Sequence, residues 1–191
     1  SAASDVYKRQ LEHQGGTWFG WSGRITENPL ATPTLRNHGN VDVATLDLTP
    51  GEHADYYNGY CNAALWPLFH SSVDRTIIDR RHEKAYWALN RRFATNLVPL
   101  LKTDDMVWVH DYHFIPFGQC LRASGCHQPL GFFLHIPFPS PEILLALPGH
   151  RALVEALFAY DVVGFQTERD RRCFLNYVLD EAGGHVEDPD L

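Results

Sequence analysis

Two apolar runs that each break off in polar, aromatic and proline residues constrain this chain more than any other feature. The first is Val107-Trp-Val-His-Asp-Tyr-His113 and the second is Gly131-Phe-Phe-Leu-His-Ile-Pro-Phe-Pro-Ser-Pro-Glu142. A short, uniformly apolar stretch reads as a strand buried on both faces, which is the signature of a parallel sheet covered by helices. In such sheets ligands bind beyond the carboxyl ends of the strands. Asp111 and His135, each just past a run, are therefore expected to face one cleft.

The rest of the chain alternates in the same way. Val41 to Leu48 switches between apolar and polar residues, as a half-buried strand does. Thr49-Pro50-Gly51-Glu52 then supplies a cap, a proline and an acidic residue in helix-start order. Helical spacing predicts helices over 82–101, 114–123, 141–147, 152–159 and 168–179. Strands are predicted over 106–110, 130–135 and 162–165. The expected class is α/β, a doubly wound, mostly parallel sheet.

Size permits such a core, since 191 residues at 45% hydrophobic and 13% aromatic make one ordinary domain or part of a larger one. Net charge is −7 with no basic stripe, which argues against a nucleic-acid partner. Four cysteines without a CxxC pair read as reduced thiols and point to a cytoplasmic setting. No apolar run approaches the roughly 20 residues of a membrane span. Residues 1–10 lack any apolar pattern and read as an unmatched leader foreign to the fold. Leu11 to Gln14 read as a last helical turn before Gly15-Gly16, and both chain ends read as cut.

Several clusters carry chemistry. His110, Asp111 and His113 could ligate a metal, but there is no HExxH and no second acidic cluster, so contact with a substrate is preferred and no cofactor is expected. A carboxylate at a strand end accepts hydroxyl donors without metal help. The segment from Asp55 to His70 is dense in aromatics. Tyr57, Asn58 and Trp66 suit the apolar C–H face and the directed hydroxyls of a sugar, although core packing would explain several of these rings equally well. The glycine-rich run Gly15 to Gly23 is neither a Walker loop nor a dinucleotide fingerprint.

Taken together, Gly15-Gly-Thr-Trp-Phe-Gly-Trp-Ser-Gly23, Tyr56-Tyr-Asn58 with Leu65-Trp-Pro-Leu-Phe-His70, the two runs above and Asp161-Val-Val-Gly-Phe-Gln-Thr167 resemble the trehalose-6-phosphate synthases. These are retaining nucleotide-sugar glycosyltransferases built from two Rossmann-like domains. The resemblance runs in order from about residue 11 to about 179. It implies an incomplete amino-terminal Rossmann-like domain over residues 11–191, lying on the acceptor side, with the carboxyl-terminal donor-binding domain absent. The implied reaction joins glucose from UDP-glucose to glucose 6-phosphate, giving α,α-trehalose 6-phosphate, with no metal. Position by position, Trp21, Tyr57, Trp66 and Asp111 fall on the acceptor pocket and His135 on the transferred glucose. Trp66 and Ile136 would shape the pocket around the anomeric centre. The family's phosphate-binding arginine and glycine pair have no counterpart in the leader, so this chain alone is expected to be inactive. A glucosylglycerol-phosphate synthase-like enzyme and a non-catalytic trehalose-synthase-like regulatory or binding domain are the alternatives. Homo-oligomerisation of a full-length parent is left open.

Overall fold

The computed structural model describes residues 15–184, which divide into two compact units at residues 53 and 54. In the first unit, β1 (Gly16–Ile25), β2 (Thr34–His38) and β3 (Val41–Leu48) form a sheet in the order β1-β3-β2, with β1 parallel and β2 antiparallel to the central strand. Ala44, Leu46 and Leu48 of β3 are buried while the residues between them are more open, the period-two pattern expected of this stretch. β2 and β3 pair across the two residues Gly39 and Asn40, and Gly39 takes the left-handed φ of 68° that a tight hairpin demands of its first turn position.

Two of these strands escape a reading by periodicity. β1 holds Gly16, Gly20 and Gly23 and is exposed over most of its length, so its strand character comes from pairing with β3 rather than from apolar alternation. The glycine-rich run is thus a sheet strand and not a loop. β2 is polar and exposed throughout. The readings placed on residues 1–14 lie outside the described residues.

The capping box at Thr49 forms as its residues predict: Thr49 Oγ accepts from the Glu52 N–H at 3.1 Å and Glu52 returns a bond to the Thr49 N–H at 2.8 Å. It starts α1 (Pro50–Glu52), which continues as a π-helix over His53–Leu65 and then as α2 (Trp66–Phe69). Gly59 is required inside that π-helix because a Cβ there would lie 2.6 Å from the His82 ring.

In the second unit the long helix α3 (Arg80–Leu97) is capped by Asp79 and buries Tyr86, Leu89, Phe93 and Leu97 along one face. Each such burial is worth about 1.5–3 kcal/mol. β4 (Val107–His110), β5 (Leu130–Phe133) and β6 (Val162–Gly164) make an all-parallel sheet in the order β4-β5-β6. The crossovers are α4 (Phe117–Ala123), and then α5 (Pro141–Leu144) with α6 (His150–Glu155). After β6 comes α7 (Glu168–Asp180). The class is therefore α/β as expected, with parallel strands in both sheets. Among the described residues no helix is long and apolar enough to cross a membrane.

Candidate functional site

The site is built where β4 and β5 end side by side. The Asp111 N–H donates to the Phe133 carbonyl at 2.8 Å, which extends the β4–β5 pairing one step beyond His110. There the chain must turn, and Asp111 does so at φ 73° and ψ 167°, a conformation otherwise occupied by glycine. Strain of this kind costs about 1–3 kcal/mol and persists only where neighbours over-determine it.

Those neighbours can be named. Asp111 Oδ1 accepts from the Tyr112 N–H at 2.9 Å and from the His135 N–H at 3.3 Å. The carbonyls that follow are held by buried side chains. Tyr86 Oη donates to Tyr112 at 2.6 Å, Tyr56 Oη and Asn90 Nδ2 each donate to His113 at 3.2 Å, and Tyr160 Oη donates to Phe114 at 2.9 Å. The 111–114 turn is thus anchored from the π-helix, from α3 and from the segment before β6. Asp111 Oδ2 has no partner among the described residues and is the oxygen left to meet a ligand.

His135 is fixed three ways. Its N–H is on Asp111, its carbonyl accepts from Gln166 Nε2 at 2.7 Å, and its ring Nε2 lies 3.0 Å from His110 Nδ1. Burial, together with the neighbouring His135 ring, pushes the His110 imidazole down to about 4. Burial likewise lowers His113, whose Nε2 finds no partner among the described residues. A crevice of about 280 Å³ opens beyond the end of β6, lined among others by Gly164, Phe165, Gln166 and Arg171. Beside it, Asp170 is buried in the first turn of α7. Its Oδ1 accepts from the Phe138 N–H at 3.1 Å and its Oδ2 from the Thr167 hydroxyl at 2.6 Å, which ties down the proline-rich loop.

The aromatic members come from the π-helix. Tyr57 stacks on His113, with ring centroids 5.6 Å apart and planes at 16°. Trp66 is 45% exposed and leans on Tyr112 at 5.6 Å, and Tyr112 donates in turn to Asn62 Oδ1 at 3.0 Å. Ile136 is buried next to His135. Tyr57 and Trp66 thus meet the Asp111–His113 turn through His113 and Tyr112, and Asp111 in turn bonds His135, so four of the predicted residues join one network in the second unit. Trp21 belongs to the first unit, where its Nε1 donates to the Arg24 carbonyl at 3.0 Å and its ring tilts on His53. Sequence reasoning missed Gln166, Asp170 and Asn62, and it weighed His110 only as a metal ligand. For Gln166 the one available signal was its place in the 161–167 motif.

Residues 2–183 match the family model described as Glycosyltransferase family 20, a match that reaches into the leader. The chain belongs to glycosyltransferase family 20. Within this family, it is 45% identical over 170 residues to a trehalose-6-phosphate synthase of Enterobacter sp. (strain 638), covering 88% of this chain and 35% of that protein. Among solved structures, an α,α-trehalose-phosphate synthase (UDP-forming) from Burkholderia xenovorans in complex with glucose-6-phosphate is similar at 45% identity and a TM-score of 0.94. That likeness covers 98% of this chain and 42% of the other. A trehalose-6-phosphate structure from E. coli bound with UDP-2-fluoro glucose is 41% identical with a TM-score of 0.89, covering 94% and 40%. The family 20 chain described here therefore spans about a third of the length of the curated relatives it matches, and it corresponds to the amino-terminal part of the solved ones.

Proposed function

We propose that this chain is the acceptor side of a trehalose-6-phosphate synthase, which moves glucose from UDP-glucose to the anomeric hydroxyl of glucose 6-phosphate with retention. The observation that carries the reading is the Asp111 turn: a strained backbone, held by buried donors, that leaves one carboxylate oxygen open beside His135. A carboxylate only accepts, so Oδ2 is suited to receive and orient sugar hydroxyls. Asp111 acts as a positioner and not as a nucleophile, because the charge of the breaking bond falls on the departing phosphate. Tyr57 and Trp66 offer aromatic faces to the acceptor. His135 contacts the transferred glucose, and Ile136 with Trp66 sets the shape around the anomeric carbon.

None of Tyr57, Trp66 and Asp111 carries a positive charge with which to oppose a phosphate. Stabilising a leaving diphosphate is usually the largest single electrostatic contribution to such a transfer. On this reading the cations for it come from a second, donor-binding domain, and the 191-residue chain by itself should not turn over. We assign residues 11–191 to the acceptor domain and place the enzyme in the reducing cytoplasm, where its four thiols stay unpaired.

The test exchanges this chain for the matching segment of the Enterobacter enzyme and follows UDP release with UDP-glucose and glucose 6-phosphate. Turnover that depends on glucose 6-phosphate, and falls tenfold or more with Asp111→Asn, is expected. A folded chimera that is silent with glucose 6-phosphate, or that prefers glycerol 3-phosphate, overturns the reading.

A further inference from the structure

Nothing in the site's proposed roles uses His110, yet its side chain bonds the His135 ring. His110 closes β4 directly opposite Phe133 of β5, and its Nδ1 reaches the Nε2 of His135 at 3.0 Å. The two rings tilt at 36° with centroids 5.2 Å apart, and the Phe133 ring also lies 4.8 Å from that of His135. A neutral imidazole has one donor nitrogen and one acceptor. His110 is neutral at pH 7, since burial and the adjacent His135 hold its pKa near 4. Two rings sharing one N–H···N bond cannot choose their tautomers independently. If His110 Nδ1 carries the proton, His135 must accept at Nε2 and carry its own proton at Nδ1. If His110 Nδ1 is bare, the reverse holds.

We infer that His110 is a positioning residue that sets the rotation and tautomer of His135, and with them whether His135 Nδ1 presents a donor or an acceptor. This is the device by which a partner on one ring nitrogen fixes what the other can offer. The backbone bonds to Asp111 and Gln166 place the His135 Cα. The bond to His110 acts on the ring itself. Its consequence for transfer rests on the proposed contact between His135 and the donor glucose, whereas the pairing itself does not.

The experiment records the two imidazole nitrogens of His135 in the 15N-labelled 191-residue chain at pH 7, in wild type, His110→Phe and His110→Asn. Wild type should show one tautomer, with the nitrogen shifts far apart. Phenylalanine keeps a ring but no nitrogen, so the two shifts should move toward each other as both tautomers become populated. Asparagine places an amide near Nδ1 and should restore the separation. In the chimera described above, His110→Phe should raise KM for UDP-glucose about tenfold and leave KM for glucose 6-phosphate within about twofold, with His110→Asn recovering most of the loss. An even tautomer mixture in wild type, or unchanged nitrogens in a folded His110→Phe chain, refutes the inference. Nitrogens that move while both KM values stay put leave the pairing intact and remove His135 from the donor sugar instead.

Discussion

The Asp111 turn makes an unusual demand on substitution, and it can be tested without any substrate. Glycine in place of a non-glycine residue normally destabilises, because the unfolded chain gains freedom. At φ 73° and ψ 167° the order should reverse. Asp111→Ala deletes a charge-assisted bond to the Tyr112 N–H, worth about 1.5–3 kcal/mol, and a longer one to His135, worth about 1 kcal/mol, while keeping the backbone strain. Asp111→Gly loses the same two bonds but relieves strain of about 1–3 kcal/mol. The glycine variant should therefore melt above the alanine variant by roughly 2–10 °C for a chain of this size. Asp111→Asn keeps an acceptor oxygen for both amides and should stay within about 1 kcal/mol of wild type, yet it puts an NH2 where Oδ2 stood. Its cost in the chimera should be tenfold or more in kcat/KM, from losing a charged hydrogen bond. Calorimetry on the four proteins decides the stability order. An alanine variant as stable as the glycine variant would show that the turn is not strained, and the case for Asp111 as a held functional group would fall with it.

Two more outcomes follow from packing and from titration. Gly118→Ala would set a Cβ 2.6 Å from the Tyr160 ring, whose hydroxyl is held between the Gly118 N–H and the Phe114 carbonyl, so the variant should lose about 1–3 kcal/mol in urea unfolding; a neutral substitution would mean that this ring is free to move. His110 is depressed from 6.5 to about 4 in the folded chain, so between those values the unfolded chain binds a proton that the native one refuses. Stability should be fully present above about pH 6.5 and fall by about 1–3 kcal/mol on the way to pH 4, allowing for the ring's partial exposure. His110→Asn should flatten that part of the pH profile, and an unchanged slope would contradict the burial of this ring.

Most strands and helices of the second unit were legible because they carry their own pattern: β4 and β5 are apolar runs, and α3 repeats its buried residues at helical spacing. Burial was read less well, since Trp108 of β4 and Val162 of β6 are exposed where a strand covered on both faces was expected. The first unit was legible only in β3. β1 is glycine-rich and β2 polar, and both are strands because β3 lies between them, a non-local cause that no window along the chain contains. In the site, Asp111 and His135 could be placed from the ends of their strands. The role of Gln166 could not, because its partner is a carbonyl 31 positions away. The buried donors on the 112–114 carbonyls, Tyr56, Tyr86, Asn90 and Tyr160, come from three separate regions and read in sequence as ordinary core.

The π-helix at residues 53–65 has a consequence in angular terms. An α-helix advances about 100° per residue, so Tyr57 and Trp66, nine positions apart, would point to opposite sides of it. At the wider winding of a π-helix, roughly 4.4 residues per turn, nine steps come to just over two full turns, and the two side chains return to nearly the same bearing. The same winding aligns Tyr56, Tyr60, Cys61, Ala64 and Leu65 on the buried side. The segment therefore acts as a phase shifter: it brings the two aromatic faces into register without lengthening the chain. Removing one residue between Asn58 and Leu65 would rotate Trp66 by about a quarter turn relative to Tyr57. Both rings would survive in the composition of the chain, and the surface they share would not.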